Sequence, residues 1–265
     1  MEATGVYGEA LATFLCDLGY YVCVVNPAKI KGFSRGELTR TKTDKADAKL
    51  IARFCRAMNP APWHPEPPHI RELQALVRRL EALQDMYQQE SNRLEGATKT
   101  VQSSIEVIKT KLDQEIDEIR KKIKNNIDQH PDLRDKQKLL ETIPGVGEAT
   151  ISQVLAFMPI HKFASAKQLT AFIGLNPREY TSGTSINGRT SLSKMGNSKL
   201  RKAFYMPALV AKHHNPIIKA FCERLKGNGK STMLIIGAAM RKLVHIIYGV
   251  LKSGKAFDAN LAVAL

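Results

Sequence analysis

Apolar positions follow three different rhythms along the 265-residue chain, and each predicts a different architecture. Residues 7–18 carry apolar side chains at helical spacing and stop at Gly19, a residue suited to the left-handed position after a helix. The unbroken run Tyr20-Tyr21-Val22-Cys23-Val24-Val25 is short, aromatic and β-branched, which predicts a buried strand ended by Asn26-Pro27. A basic loop from Lys29 to Lys42 comes next, then a second helix from about Asp44 to Met58. One helix–strand–helix unit cannot cover both faces of a sheet, so residues 1–60 read as an α/β fragment whose beginning is missing.

The rhythm changes after Pro60, Pro62, Pro65, Pro67 and Pro68, which predict a stiff linker. Leu73, Leu76, Leu80, Leu83, Tyr87, Glu90 and Leu94 then alternate steps of three and four, the seam of a heptad repeat. From Leu94 through Ala97, Val101, Ile105, Ile108, Leu112, Ile116, Ile119 and Ile123 to Ile127 the repeating steps are three, four and four. That eleven-residue period favours a straight or slightly right-handed supercoil. Ser103-x-x-Glu106 fits a capping box, so a new helix is expected there, folding back on the first. Residues 61–130 are thus a Pro-rich linker and a long helical coiled coil, a packing seam that serves assembly into a homo-oligomer, dimer or tetramer.

Residues 131–265 form the third part and are mainly α. Helices are expected at about 131–142, 148–158, 165–173, 198–213, 216–226 and 231–252.

Charge changes this picture. Lys and Arg number 40 against 25 Asp and Glu, a net charge of +15. Residues 1–60 contribute +3, residues 61–130 contribute −1, and residues 131–265 contribute +13. Such an excess repels itself in a compact state and points to a polyanionic partner, with its face in the C-terminal half. A scaffold built around the rod alone is disfavoured, because the rod is near neutral. Cys16, Cys23, Cys55 and Cys222 lie in apolar contexts without a CxxC pair, as reduced core thiols of a cytoplasmic protein do. No signal peptide opens the chain and no apolar run suffices to span a bilayer, so no membrane partner is expected.

Three places carry candidate chemistry. Ile143-Pro144-Gly145-Val146-Gly147 between two helices has the pattern of a helix-hairpin-helix, whose backbone N–H groups at Gly145 and Gly147 grip a phosphate. The same glycines would equally serve a tight helix-to-helix turn. Asp44 and Asp47 share one face of a helix start and suit a divalent cation, although acidic residues favour helix N-termini on dipole grounds alone. Tyr180-Thr181-Ser182-Gly183-Thr184-Ser185 reads as a hydroxyl-rich loop. It lies within a stretch, Arg178 to Lys242, holding thirteen basic and two acidic residues. A serine in that field is suited to attack a phosphodiester, with His213 and His214 as candidate bases and Ser185 as its rival. Arg178, Arg189, Lys194, Lys199, Arg201 and Lys202 are the expected nucleic-acid contacts.

With these motifs come Glu2-Ala3-Thr4-Gly5-Val6-Tyr7, Lys42-Thr43-Asp44-Lys45-Ala46-Asp47-Ala48, Ser193-Lys194-Met195-Gly196-Asn197, Tyr205-Met206-Pro207-Ala208 and Tyr248-Gly249-Val250-Leu251. In this order they resemble the DEDD-type insertion-sequence transposases of the IS-one-ten family, from Met1 almost to Leu265. The resemblance implies a RuvC-like domain of the ribonuclease H fold with four Mg²⁺-binding acidic residues, of which Glu2, Asp44 and Asp47 match the second, third and fourth. It further implies a coiled coil, a C-terminal domain in which Ser182 links covalently to DNA, a bridge RNA as guide, and an assembly of several subunits. The first acidic residue lies upstream of Glu2 in the family, and Asp17 does not replace it. Two outcomes are therefore expected: a recombinase that cuts and rejoins DNA, or a catalytically inactive remnant that binds nucleic acid.

Overall fold

A computed structural model of the protein describes residues 1–3, 8–38, 43–182 and 186–260; the side chains of residues 180–182, 186, 187, 189 and 190 lie outside the description. The described residues fall into two compact units, Met1–Pro67 and Pro68–Leu265.

The first unit holds α1 (Glu9–Asp17), α2 (Pro27–Gly36) and α3 (Asp44–Met58). Its core gathers Cys23, Val25, Ile30, Leu50 and Phe54, with Phe33 set edge-on to Phe54 at 5.5 Å. The expected strand at residues 20–25 is not a regular strand. Among the described residues its one ladder contact is a parallel bridge between Glu2 and Val25, closed by Ala3 N to Val25 O and Val25 N to Met1 O, each 2.9 Å. Tyr20 and Tyr21 are exposed, and the described residues of these two segments are too few to make a sheet. The expected basic loop contains α2. Asn26-Pro27, which reads as a strand stop, is also a helix start: Asn26 Oδ1 accepts from Ala28 N at 2.9 Å and Pro27 occupies the first turn. The proline-rich segment lies against this unit, with Trp63 N donating to Val22 O at 2.7 Å and Tyr21 Oη to Pro60 O at 3.0 Å.

The second unit begins with α4 (Pro68–Glu95) and α5 (Lys99–Gln129), which pack side by side. They run antiparallel: Asn126 Nδ2 donates to Glu72 Oε2 at 3.2 Å near one end, and Lys109 sits over the Tyr87 ring near the other. The second helix starts at Lys99 after Thr98, earlier than the capping-box pattern at Ser103 suggests, because Gly96 and Ala97 already complete the reversal. Leu73, Val77 and Leu83 of α4 and Ile116, Ile119, Ile123 and Ile127 of α5 are buried. They belong to one core with the C-terminal helices, so the pair is continuous with that part of the chain.

The C-terminal helices are α6 (Pro131–Glu141), α7 (Glu148–Phe157), α8 (Ala166–Ile173), α9 (Ser198–Ala203), α10 (Tyr205–His214), α11 (Pro216–Gly227) and α12 (Thr232–Ser253), with a 3₁₀ turn at Ile160–Lys162. α12 is the centre, packed by α6, α8, α10 and α11. Contrary to expectation, it is long and apolar enough to cross a membrane. Ten of its residues are buried in the protein core, which accounts for that apolarity. The single helix expected at 198–213 is two, because Pro207 cannot donate to the carbonyl of Ala203; Phe204 is buried at the break.

Candidate functional site

Two strands, β1 (Pro177–Ser182) and β2 (Ile186–Leu192), pair antiparallel as the arms of a hairpin, where a loop is expected. The strand residues explain the difference: Tyr180, Thr181, Ile186, Thr190 and Leu192 are aromatic or branched, a composition that suits a pleated ribbon better than a coil. A bulge lies between Arg178 and Tyr180. Ser182 closes β1 opposite Ile186, while Gly183, Thr184 and Ser185 lie outside the described residues.

The base of this hairpin is fastened to the end of α8. Ser193 N donates to Asn176 O at 2.8 Å, and Asn176 Oδ1 accepts from Thr170 Oγ1 at 2.7 Å. Asn197 N donates to Phe172 O at 2.9 Å, while its Oδ1 caps α9 by accepting from Lys199 N and Leu200 N, each at 3.1 Å. Gly196 has φ +146, and a Cβ there would meet Phe172 O at 2.3 Å, so only glycine fits. Arg201 Nη1 donates to Ile173 O at 3.0 Å and to Lys194 O at 3.2 Å.

The expected cations therefore divide. Arg201 spends donors on backbone carbonyls. Lys199 Nζ meets Glu81 Oε2 at 3.3 Å and Lys202 Nζ meets Asp85 Oδ1 at 3.8 Å, both across to α4. Such exposed pairs are worth roughly 0–1 kcal/mol, so a phosphate displaces them cheaply. Arg178 and Lys194 are exposed. Arg189 lies on β2 with its side chain outside the description, and His213 and His214 are exposed at the end of α10.

The Ile143–Gly147 turn joins α6 to α7. Gly145 has φ +97, and a Cβ there would lie 2.7 Å from Ala211 Cβ, so this glycine exists to seat the turn on α10. Asn215, wholly buried, donates from Nδ2 to Pro144 O at 3.4 Å and accepts from Ile218 N at 3.2 Å. Sequence reasoning missed Asn215, although Asn-Pro ahead of a helix was the available signal. Gly147 is exposed with nothing within 4 Å of its Cβ position. Glu148 stands next to it in the first turn of α7, so a negative charge already sits at that helix end.

In the first unit, Asp44 and Asp47 occupy the first turn of α3, which Thr43 caps by accepting from Ala46 N at 3.2 Å. Glu2 sits half-buried in its bridge to Val25. Among the described residues no three His, Cys, Asp or Glu side chains gather as metal ligands. Glu2, Asp44 and Asp47 form no such group as placed.

Residues 137–223 match the family described as "Transposase IS116/IS110/IS902 family", and residues 1–101 match the DEDD_Tnp_IS110 domain, described as "Transposase". A pilin gene-inverting protein of Moraxella bovis is 34% identical over 263 residues, which cover 98% of this chain and 82% of that protein. Its counterpart in Moraxella lacunata agrees to the same extent. A transposase for insertion sequence element IS1111A of Coxiella burnetii is 44% identical over 63 residues, 23% of this chain and 17% of that protein.

Proposed function

The chain belongs to the IS110/IS116 family of insertion-sequence transposases and recombinases, and from that premise we propose that it cuts and rejoins DNA with Ser182 as nucleophile. The observation that carries the reading is the position of Ser182 at the end of β1, in a hairpin rooted among cationic residues. Ser182 Oγ attacks phosphorus; the Ser–O–P bond forms as the bond from phosphorus to a sugar oxygen breaks. The serine proton leaves to a base, and the departing sugar oxygen takes up a proton. Attack by that strand's exchange partner reverses the step and frees the serine. Arg178, Arg189 and Lys194 hold the phosphate and offset the charge that develops on it. The turn at Gly147, with Lys199, Arg201 and Lys202 of the basic C-terminal half, grips backbone without reading bases.

The relatives named for pilin gene inversion support a rearrangement of flanking DNA as the biological outcome. A structured guide RNA, assembly of a homo-oligomer through the α4–α5 pair, a RuvC-like arrangement for residues 1–60 and a C-terminal transposase domain from residue 131, which shares its core with α4 and α5, complete the proposal. The DEDD type implies carboxylates for a divalent cation such as Mg²⁺, with Glu2, Asp44 and Asp47 the matching positions, but no step is assigned to them. A second reading, nucleic-acid binding without cleavage, is supported by the lack, among the described residues, of any three His, Cys, Asp or Glu side chains gathered as metal ligands.

The test is a denaturing gel of purified protein with end-labelled duplex from the flanks of its own gene, with and without a chelator. A covalent adduct that Ser182→Ala abolishes and Ser185→Ala retains supports the serine. An adduct that survives Ser182→Ala overturns it, and binding with no adduct in any condition favours the second reading.

A further inference from the structure

The cationic residues assigned to the serine hairpin and its base lie between Arg178 and Lys202, yet a second positive surface lies on another side of the fold's central helix. α12 carries Arg241, Lys242 and Lys252 and not one acidic residue; neither does α8, which packs against it and carries Lys167. On a helical wheel Arg241, Lys242, His245, Gly249 and Lys252 fall within an arc of about 100°, opposite the buried side chains of the same helix. Over the eleven steps from Arg241 to Lys252 this stripe spans about 16 Å.

Three observations show that the fold itself leaves this charge uncompensated. Lys167, Arg241 and Lys242 have no ion-pair partner among the described residues, and the sequence holds no Asp or Glu between Glu223 and Asp258. Lys167 stands in the first turn of α8, where the helix dipole disfavours a cation. His245 is half-buried, its Nε2 has no hydrogen-bond partner among the described residues, and burial, then Arg241, Lys242 and Lys167, push its pKa down.

Gly249 adds a steric observation. Gly237, on the inner side of the same helix, is explained by Leu192, which a Cβ would approach to 3.2 Å. Gly249 is exposed and a Cβ there would meet nothing within 4 Å. Glycine weakens a helix interior, and no packing among the described residues requires it here. A flat spot within a row of cations suits the close approach of an external backbone.

We propose that the α12 face formed by Arg241, Lys242, His245, Gly249 and Lys252, with Lys167 of α8, is a second nucleic-acid surface that holds a phosphodiester backbone. It rests on the reading of the chain as a nucleic-acid recombinase, and gives it a grip separate from the serine hairpin. A bound phosphate supplies the missing counter-charge for three cations.

Fluorescence anisotropy of the full chain with a 30-base-pair DNA duplex and the matching RNA duplex, over a series of salt concentrations, tests this. Lys167→Gln/Arg241→Gln/Lys242→Gln should bind at least about ten-fold more weakly at moderate salt, with the salt slope lowered by about two to three. Lys121→Gln/Lys124→Gln, an exposed charge loss on α5, should leave affinity within about two-fold. Gly249→Gln should melt at or above the wild-type temperature yet bind more weakly, which a purely structural role would not produce. Loss confined to one duplex identifies whether DNA or RNA occupies the surface. A folded triple variant with wild-type affinity and slope overturns the proposal, whereas a wild-type chain that binds neither duplex overturns the recombinase reading itself.

Discussion

Replacing Gly145 by alanine separates packing from binding in the Ile143–Gly147 turn. The new methyl must occupy space 2.7 Å from Ala211 Cβ and 2.8 Å from the Ala211 backbone, and the residue must keep φ +97. Left-handed or rarer backbone costs about 1–3 kcal/mol for a residue with a Cβ. Overpacking against a helix backbone, which cannot rotate away, costs about 1–3 kcal/mol more. The sum, roughly 2–6 kcal/mol, lowers the midpoint of a unit this size by roughly 5–20 °C. Gly147→Ala is the partner experiment: its φ of −100 suits alanine, its Cβ meets nothing, and the change costs within about 1 kcal/mol. Thermal melts and urea titrations of both variants, then DNA binding by the folded protein, read the two effects apart. The expected result is a large loss of stability for Gly145→Ala, and weaker binding at little stability cost for Gly147→Ala. A Gly145→Ala protein that melts within about 2 °C of wild type would refute the packing argument.

Burial sets two further outcomes. Ile116 is 4% exposed at the α4–α5 contact, so Ile116→Asp strands a carboxylate in the core and should cost upwards of about 3 kcal/mol, read as loss of helical circular dichroism at moderate urea. His245 has a folded pKa below its ordinary 6.5, so the unfolded chain binds more protons as pH falls through that value. Stability should therefore decline below about pH 6.5 and His245→Gln should flatten that decline; an unchanged slope in urea melts at pH 5 and pH 7 would count against it.

The C-terminal helices were legible because their boundaries are written in local chemistry. Ser165 caps α8 and Asn215-Pro216 opens α11, and the helical periodicity between such marks leaves little freedom. Where two local signals compete, sequence reasoning fails in identifiable ways. Asn26-Pro27 ends an extended segment and begins a helix, and only the second role sets the conformation of residues 27–36. Pro207 interrupts a helix whose apolar rhythm passes through it unbroken. The hairpin was harder: Gly183 and Gly188 and many hydroxyls resemble coil, and its pairing is a non-local fact. At the candidate sites of the two units the sequence marks Ser182 in one and Asp44 and Asp47 in the other, but says nothing of which cations are already engaged. That Arg201 binds Ile173 O and Lys194 O depends on the fold bringing α9 to the end of α8.

The fastening of the hairpin has a mechanical consequence. From Pro177 at its root to Ser182 at its end the ribbon extends about 17 Å. A rotation of only about 10° at the root would carry the serine through about 3 Å, as large as the separation of reacting atoms in a near-attack arrangement. Asn176, Gly196, Asn197 and Arg201 are thus the bearing of a lever arm. Small changes at these four residues are amplified into aim at the far end, so under the proposed serine mechanism substitutions that never touch DNA would retune or abolish the chemistry.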